Sequence, residues 1–332
     1  MNPRVYLDMT AGVGGLPLYW TSGGRVRPVV SRIGNKWGYG DALCRIRGLS
    51  WRRPPEVLLL NDADPEIAGL WRCLLDPPTA RAAAAMIRSW SSEEPRPLWD
   101  RLRARLASGE LAPPAVERLA GRMVVAMHGL PGAPDSFNEQ AISPPGSRRP
   151  RSALTLSARA QDVAEWAAAW SWVCGNSFRG SVAGGWKSMP TDGSNTECSL
   201  TPGEAASRLE AASIPGAHAL NLRADAIPVP DNARGWLVYM DPPYEGTTGY
   251  RCEWPRAEVL EVARRWAAAG ASVMISEAEP LDLPGWHHVE ITHLRRGQKR
   301  TFSKQQREFV TLSEPPAWRP PVQRSLFAVG AP

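Results

Sequence analysis

A chain of 332 residues can bury a sizeable core, and its length suits one large α/β unit with a smaller insertion, so two lobes are expected. The formal charge is +6 and the cations are almost all arginine, Lys36, Lys187, Lys299 and Lys304 being the lysines; arginine forks suit phosphates and base edges, yet a coding bias toward Arg, Ala, Gly and Pro gives the same excess, so charge alone assigns no partner. Five cysteines without C-x-x-C spacing argue against a disulfide framework and a zinc site, and no apolar run approaches the roughly 18 residues of a membrane span, which leaves a soluble cytoplasmic protein as the expectation.

Residues 4–8 read as a strand that runs into Asp8-Met9-Thr10-Ala11-Gly12-Val13-Gly14-Gly15, a turn in which glycines let a ligand approach the backbone. Arg32-Ile33-Gly34-Asn35-Lys36 follows, then a helix-like run over 40–47. Residues 56–60 form a second apolar strand ending in Asn61-Asp62-Ala63-Asp64-Pro65 before a helix at 66–75. An acid at that point can hold a ribose hydroxyl. Asp64-Pro65 also has the form of a helix N-cap with Pro at N1, which makes Asp62 the better ligand candidate.

Three helices are expected within 79–127, then a long Gly/Pro/Ser/Arg loop over 129–152 that contains Arg148 and Arg149. A helix at 157–173 carries Trp166, Trp170 and Trp172, whose spacing reads as core rather than as a stacking platform. After a helix at 202–212 and a strand at 217–222, Asp225 stands just past a strand end. The strand 236–240 then stops at Asp241-Pro242-Pro243-Tyr244, because prolines fix φ and donate to no ladder. A helix at 255–269 and a strand at 272–276 restore the βα rhythm of a parallel sheet. Strands at 286–291 and 307–312 flank a basic tip with Arg295 and Arg296. The Pro-rich tail from residue 314 reads as disordered, with Gln323, Leu326 and Phe327 as a docking peptide.

The Asp241-Pro242-Pro243-Tyr244 tetrapeptide, the glycine-rich strand end and the further strand-end acids together resemble the Dam-like class of S-adenosylmethionine-dependent DNA adenine-N6 methyltransferases. The resemblance implies a Rossmann-like α/β methyltransferase sheet in residues 1–75 and 217–313, with an inserted, mainly helical target-recognition lobe in 76–216. It implies S-adenosyl-L-methionine as cofactor, double-stranded DNA as partner and a bacterial or phage origin. Asp241, Pro242, Pro243 and Tyr244 match the catalytic motif. Asp8, Ala11, Gly12 and Gly14 match the donor motif, Asp62 the ribose acid, Asp225 the acid beside the donor's adenine, and Lys36 the lysine segment beside its methionine end. Tyr250, Arg148, Arg149, Arg295 and Arg296 are candidate DNA contacts. Gln323, Leu326 and Phe327 resemble the bacterial sliding-clamp-binding peptide. The chain departs from the family in two places: the lysine segment follows the glycine-rich motif instead of preceding it, and Met9-Thr10 stand where the family commonly has Pro-Phe.

The exocyclic amino group of adenine is a poor nucleophile because its lone pair is delocalised into the ring. Asp241 accepting one N–H and the Pro242 carbonyl the other would draw that pair toward a methyl group. Tyr244 would stack on the base once it leaves the duplex. Cytosine N4, an RNA or protein amide, and a non-catalytic DNA- or clamp-binding protein on the same fold stay open. No cysteine follows a proline, which argues against C5-cytosine chemistry.

Overall fold

The apolar runs that the sequence marks as strands are buried on both faces, which is why they lack period-two alternation. In a computed structural model describing residues 3–10, 12, 16–30, 36–114, 153–177, 180–187, 200–212, 214, 217–245, 251–294 and 307–320, these runs form a single mixed sheet. The strands are β1 (Val5–Asp8), β2 (Val57–Asn61), β3 (Ala217–Leu220), β4 (Trp236–Met240), β5 (Ser272–Glu277), β6 (His287–Glu290) and β7 (Phe309–Leu312). They lie in the order β3-β2-β1-β4-β5-β7-β6. The first five are parallel, with Leu7 opposite both Leu59 and Val238 and with Val238 opposite Val273. β7 runs antiparallel to both β5 and β6. This α/β architecture is compatible with a Rossmann-like fold, and its first five strands follow the order of a dinucleotide-binding sheet.

Alternate side chains along each strand feed two cores. Val5, Leu7, Leu59, Val238, Met240, Val273 and Ile275 face helix α8 (Arg256–Ala268) through Val259, Val262 and Trp266. Tyr6, Leu58, Leu60, Leu237, Tyr239 and Met274 face the opposite way. There they meet α1 (Leu16–Ser22), α2 (Gly40–Arg47), α3 (Pro65–Leu74), α4 (Pro77–Ser89), α5 (Pro95–Ala107), α6 (Ala153–Gly175) and α7 (Pro202–Ala211). The helix starts are written in the sequence. Asp64 and Asp76 each cap a helix that opens with proline, and Thr201 with Glu204 forms a capping box on α7.

The two lobes expected from chain length are not separate in their cores. The buried cluster runs without a break from Tyr6 and Leu60 through Trp71 to Trp99, Trp166, Trp170 and Trp172. Trp166 and Trp170 stack at 5.9 Å between ring centroids, and Trp170 Nε1 donates to Glu66 Oε2 at 2.8 Å, tying α6 to α3. Each such tryptophan removes ~200 Å² from water, worth on the order of 5 kcal/mol as an upper bound, so the helices and the sheet stabilise one another.

Two further differences from the sequence reading stand out. α1 follows the glycine-rich turn in residues to which the sequence reading gave no element. The tail read as disordered from residue 314 is docked as far as residue 320: Ala317 N–H donates to the Ile46 carbonyl, and the Arg45 guanidinium lies 4.1 Å from the Trp318 ring centroid. Among the described residues, no helix is long and apolar enough to cross a membrane, and no group of His, Cys, Asp and Glu could hold a metal ion.

Candidate functional site

Strands β1, β2 and β3 are laid across the sheet in one direction and β4 and β5 in the other, so the segments after the neighbouring strands β1 and β4 pass to opposite faces. A crevice opens at the carboxyl ends of such a pair, where open α/β sheets take ligands. The turn after β1 and the turn after β4 are knitted together at this point. Met9 N–H donates to the Tyr239 carbonyl at 2.9 Å, and Asp241 N–H donates to Thr10 Oγ1 at 2.6 Å. Pro242 and Pro243 then end the strand, leaving Asp241 at the mouth with 18 % of its side chain exposed.

Asp8, by contrast, is 1 % exposed. Its carboxylate accepts Thr10 N–H and the Tyr6 hydroxyl, each at 3.1 Å, and so shapes the turn from within. Burial pushes its pKa well above the usual carboxylate range, with Asp241 and Asp62 adding to the rise against the two hydrogen bonds. Gly12 lies in that turn, and a Cβ there would stand in open space, so the protein's own packing does not demand a glycine. Ala11 and Gly14 lie outside the described residues.

Beside Asp241 sits a buried cluster. Lys36, in the 3₁₀ turn Lys36–Tyr39 that leads into α2, places Nζ 3.1 Å from Asp241 Oδ1 and 3.1 Å from Glu308 Oε1. The ammonium also donates to the Tyr244 hydroxyl, which in turn donates to Glu308 Oε1. Lys36 and Glu308 are 4 % and 3 % exposed, and Tyr244 is 7 % exposed. Burial disfavours the charged lysine, yet the carboxylates of Asp241 and Glu308 outweigh it and hold its pKa above normal. For Asp241 burial is the largest influence; Glu308 and Glu277 add to it, Lys36 opposes it, and the pKa is raised to about 7. Burial also raises the Tyr244 phenol well above its ordinary value, so it is a neutral donor.

The other proposed site residues are spread along the same edge. Asp62, at the end of β2, is partly exposed and accepts Asp64 N–H at 2.8 Å. Asp64 is the N-cap of α3, accepting Glu66 N–H at 3.0 Å, and Arg251 reaches both Asp64 at 3.4 Å and Glu66 at 2.9 Å. Asp225 is exposed in a short 3₁₀ turn, paired at 3.1 Å with Arg223. Tyr250, Arg148, Arg149, Arg295, Arg296, Gln323, Leu326 and Phe327 lie outside the described residues.

Sequence reasoning missed Glu308, Glu277 and Thr10. It took the acids that follow the first four strands, Asp8, Asp62, Asp225 and Asp241, and passed over Glu277, which directly follows the expected strand at 272–276. Glu308 precedes its strand and reaches the same edge because β7 is antiparallel, pairing Phe309 with Glu277. Glu277, buried at the end of β5, lies 3.6 Å from Arg256 and has its pKa raised by burial. A lone acid before an apolar run was the signal for Glu308, legible only with the strand's direction in hand.

Among the described residues, the assembly gathers carboxylates around the buried Lys36, with Asp241, its pKa raised to about 7, on the more exposed side. It can receive N–H donors or complement a cation. Compared with known proteins, the chain matches no protein-family model, and no curated protein matches it significantly.

Proposed function

We propose that the protein is an S-adenosylmethionine-dependent amino-methyltransferase of the Dam-like class, acting on N6 of an adenine flipped out of DNA. The observation that carries this reading is the placement of Asp241-Pro242-Pro243-Tyr244 at the carboxyl end of β4, beside β1 where the strand order reverses, with the Asp241 carboxylate reaching the mouth of the crevice.

The residues present fit the donor. Its sulfonium is a cation, and among the described residues Asp62, Asp241, Glu277 and Glu308 stand along this edge against Lys36 and Arg256. Asp62 offers a partly exposed carboxylate at the end of β2, suited to ribose hydroxyls, and the backbone beside Gly12 has open space for a ligand. Lys36 is assigned here as the counter-ion of Asp241 instead of a holder of the donor's methionine end, because its ammonium already serves Asp241, Glu308 and Tyr244.

When bound, the donor supplies an electrophilic methyl whose C–S electron pair stays on sulfur as the new N–C bond forms. Asp241 accepts one amino N–H and the Pro242 carbonyl accepts the other, which favours a tetrahedral nitrogen. Asp241 then takes the surplus proton from N6, and a pKa of about 7 suits a base working near neutrality. Thr10 fixes the Asp241 backbone, so the main chain that carries the acceptor is already in place. Tyr244 is held through its hydroxyl with its ring covered, so a base stacking on it must displace that cover; hydrogen bonding at Asp241 needs no such change. Residues 76–216 supply the target-recognition surface in this reading, and the sliding clamp is the proposed partner of the tail.

The test is transfer of a labelled methyl group to duplex DNA, followed by nucleoside analysis. N6-methyladenine is expected with the wild-type chain and none with Asp241→Ala. Binding of the donor without labelling of any DNA would overturn the assignment, and label recovered on cytosine N4 would reassign the base.

A further inference from the structure

Asp241 has a competing partner in its own protein: the Lys36 ammonium already meets Oδ1, one of the two oxygens that could receive an amino group. Something must hold Lys36 when Asp241 turns to substrate. Glu308 lies as close to Nζ as Asp241 does, 3.1 Å in each case, and is the more deeply buried of the two acids, 3 % against 18 %. Its position is set by backbone pairing across the β6–β7 hairpin. Glu308 N–H donates to Thr292 Oγ1 at 2.9 Å, and its carbonyl accepts Ile291 N–H at 2.8 Å. Lys36, Tyr244 and Glu308 close a hydrogen-bonded ring: ammonium to phenol, phenol to carboxylate, ammonium to carboxylate. Asp241 is the one member of the cluster attached to that ring from outside, toward the mouth.

We propose that Glu308 is a positioning residue that anchors the Lys36 ammonium, so that Asp241 can release one oxygen to the substrate amino group while the cation stays beside it. Glu308 touches neither base nor donor. Without its charge, Lys36 has Asp241 as its remaining carboxylate partner and competes with the substrate for it. The inference rests on the methyltransferase reading for its consequence in catalysis, whereas the placement of the charges stands apart from it.

Asp241 is faced by Lys36 from the turn before α2, Glu308 from the start of β7, Glu277 from the end of β5, Asp8 from the end of β1, Tyr239 from β4 and Tyr244 from the segment after it. Removing the Glu308 charge takes one like charge from this set, so the carboxylate should ionise at lower pH. The rate should fall all the same, because the freed acid is monopolised by the lysine. A merely structural role does not produce that opposed pair of effects.

The experiment compares full-length wild-type, Glu308→Gln and Glu308→Asp chains. Two readouts are taken: the pH dependence of kcat with saturating donor, and the titration of the Asp241 carboxyl by carbon-13 NMR, assigned with Asp241→Asn. For Glu308→Gln, the expected results are a plateau kcat at least tenfold lower, an acid limb at least one pH unit lower, donor affinity within twofold of wild type, and an NMR midpoint displaced with the limb. Glu308→Asp, which restores the charge, should return the limb to its wild-type position. An unchanged kcat and limb would overturn the proposal, as would a fall in kcat with the limb unmoved. Glu308→Gln breaks a buried pair and should lose stability; a chain that does not fold at all gives Glu308 a structural role instead and counts against the proposal. If the wild type transfers no methyl group yet the NMR midpoint moves as described, the functional reading fails and the placement of Glu308 holds.

Discussion

Replacing Lys36 by methionine removes the buried cation beside Asp241 and keeps a side chain of similar length. At 3.1 Å and an effective dielectric constant of ~20, each of its contacts with Asp241 and Glu308 is worth ~5 kcal/mol before desolvation is counted. At ~1.4 kcal/mol per pKa unit, loss of the Asp241 contact alone could lift that carboxyl by as much as ~4 units. Asp241 is part-exposed, and water entering the vacated space screens the change; half of the bound is the working figure. From about 7 the pKa then moves to roughly 9, and at pH 7 the ionised fraction falls from about a half to about a hundredth. Lys36→Met should therefore lose roughly 50-fold in methyl transfer at pH 7 and regain about tenfold per pH unit until pH ~9. The assay is a rate profile from pH 6 to 10 with saturating donor.

The stability of the same variant carries a second signature. Removing one partner of a buried pair costs ~3–5 kcal/mol, and the cost should shrink toward pH 5, where the orphaned Asp241 carboxyl takes up a proton. The direction follows from linkage. Asp241 is raised from 3.8 to about 7 on folding, so the folded chain binds this proton more tightly, and that contribution is lost as pH climbs through this window. Lys36 is raised, so its contribution is complete below its ordinary 10.5 and is lost above the folded value. Urea unfolding at pH 5 and pH 8 reads the Asp241 contribution and the pH-dependent cost of Lys36→Met, the Lys36 contribution being constant over that range. A Lys36→Met chain with the wild-type rate at pH 7 and an unmoved limb would refute the counter-ion argument.

Two other outcomes follow from the same charges. Donor binding places a sulfonium beside an acid that is half protonated near neutrality, so it should release a fraction of a proton at pH 7 and tighten as pH rises from 6 to 8; calorimetry in buffers of different ionisation enthalpy measures this, and proton uptake would contradict it. Asp62→Asn should weaken donor binding at least tenfold with little change in unfolding, whereas Asp64→Ala should cost ~1 kcal/mol of stability through the α3 cap and leave donor affinity alone. The reverse pattern would exchange their roles.

Much of the sheet was readable because buried parallel strands advertise themselves as unbroken apolar runs. β4 was expected at 236–240 and lies there, and the run toward Asp62 foretold both β2 and the N-cap at Asp64. The three tryptophans of α6 were read as core and are buried. What stayed hidden depended on directions and partners that no local pattern encodes. The antiparallel sense of β7 decides whether Glu308 sits at the site or at the far edge, and four residues of apolar pattern are the same in either sense. Lys36 was legible as a site residue, but its partners lie more than 200 positions away, at Asp241, Tyr244 and Glu308.

On the methyltransferase reading proposed above, the unbroken core between the helices and the sheet bears on how a new target preference could arise. A module joined by a linker can be exchanged whole. Here the exchanged segment would have to bring surfaces matching Trp71, Leu60 and Tyr6, or leave the sheet uncovered. Change is therefore directed to the outward sides of the helices and the loops between them, where residues can vary one at a time. Because the core is shared, a substitution under α6 should weaken the packing of the sheet that carries Asp241 as well as that of the helices.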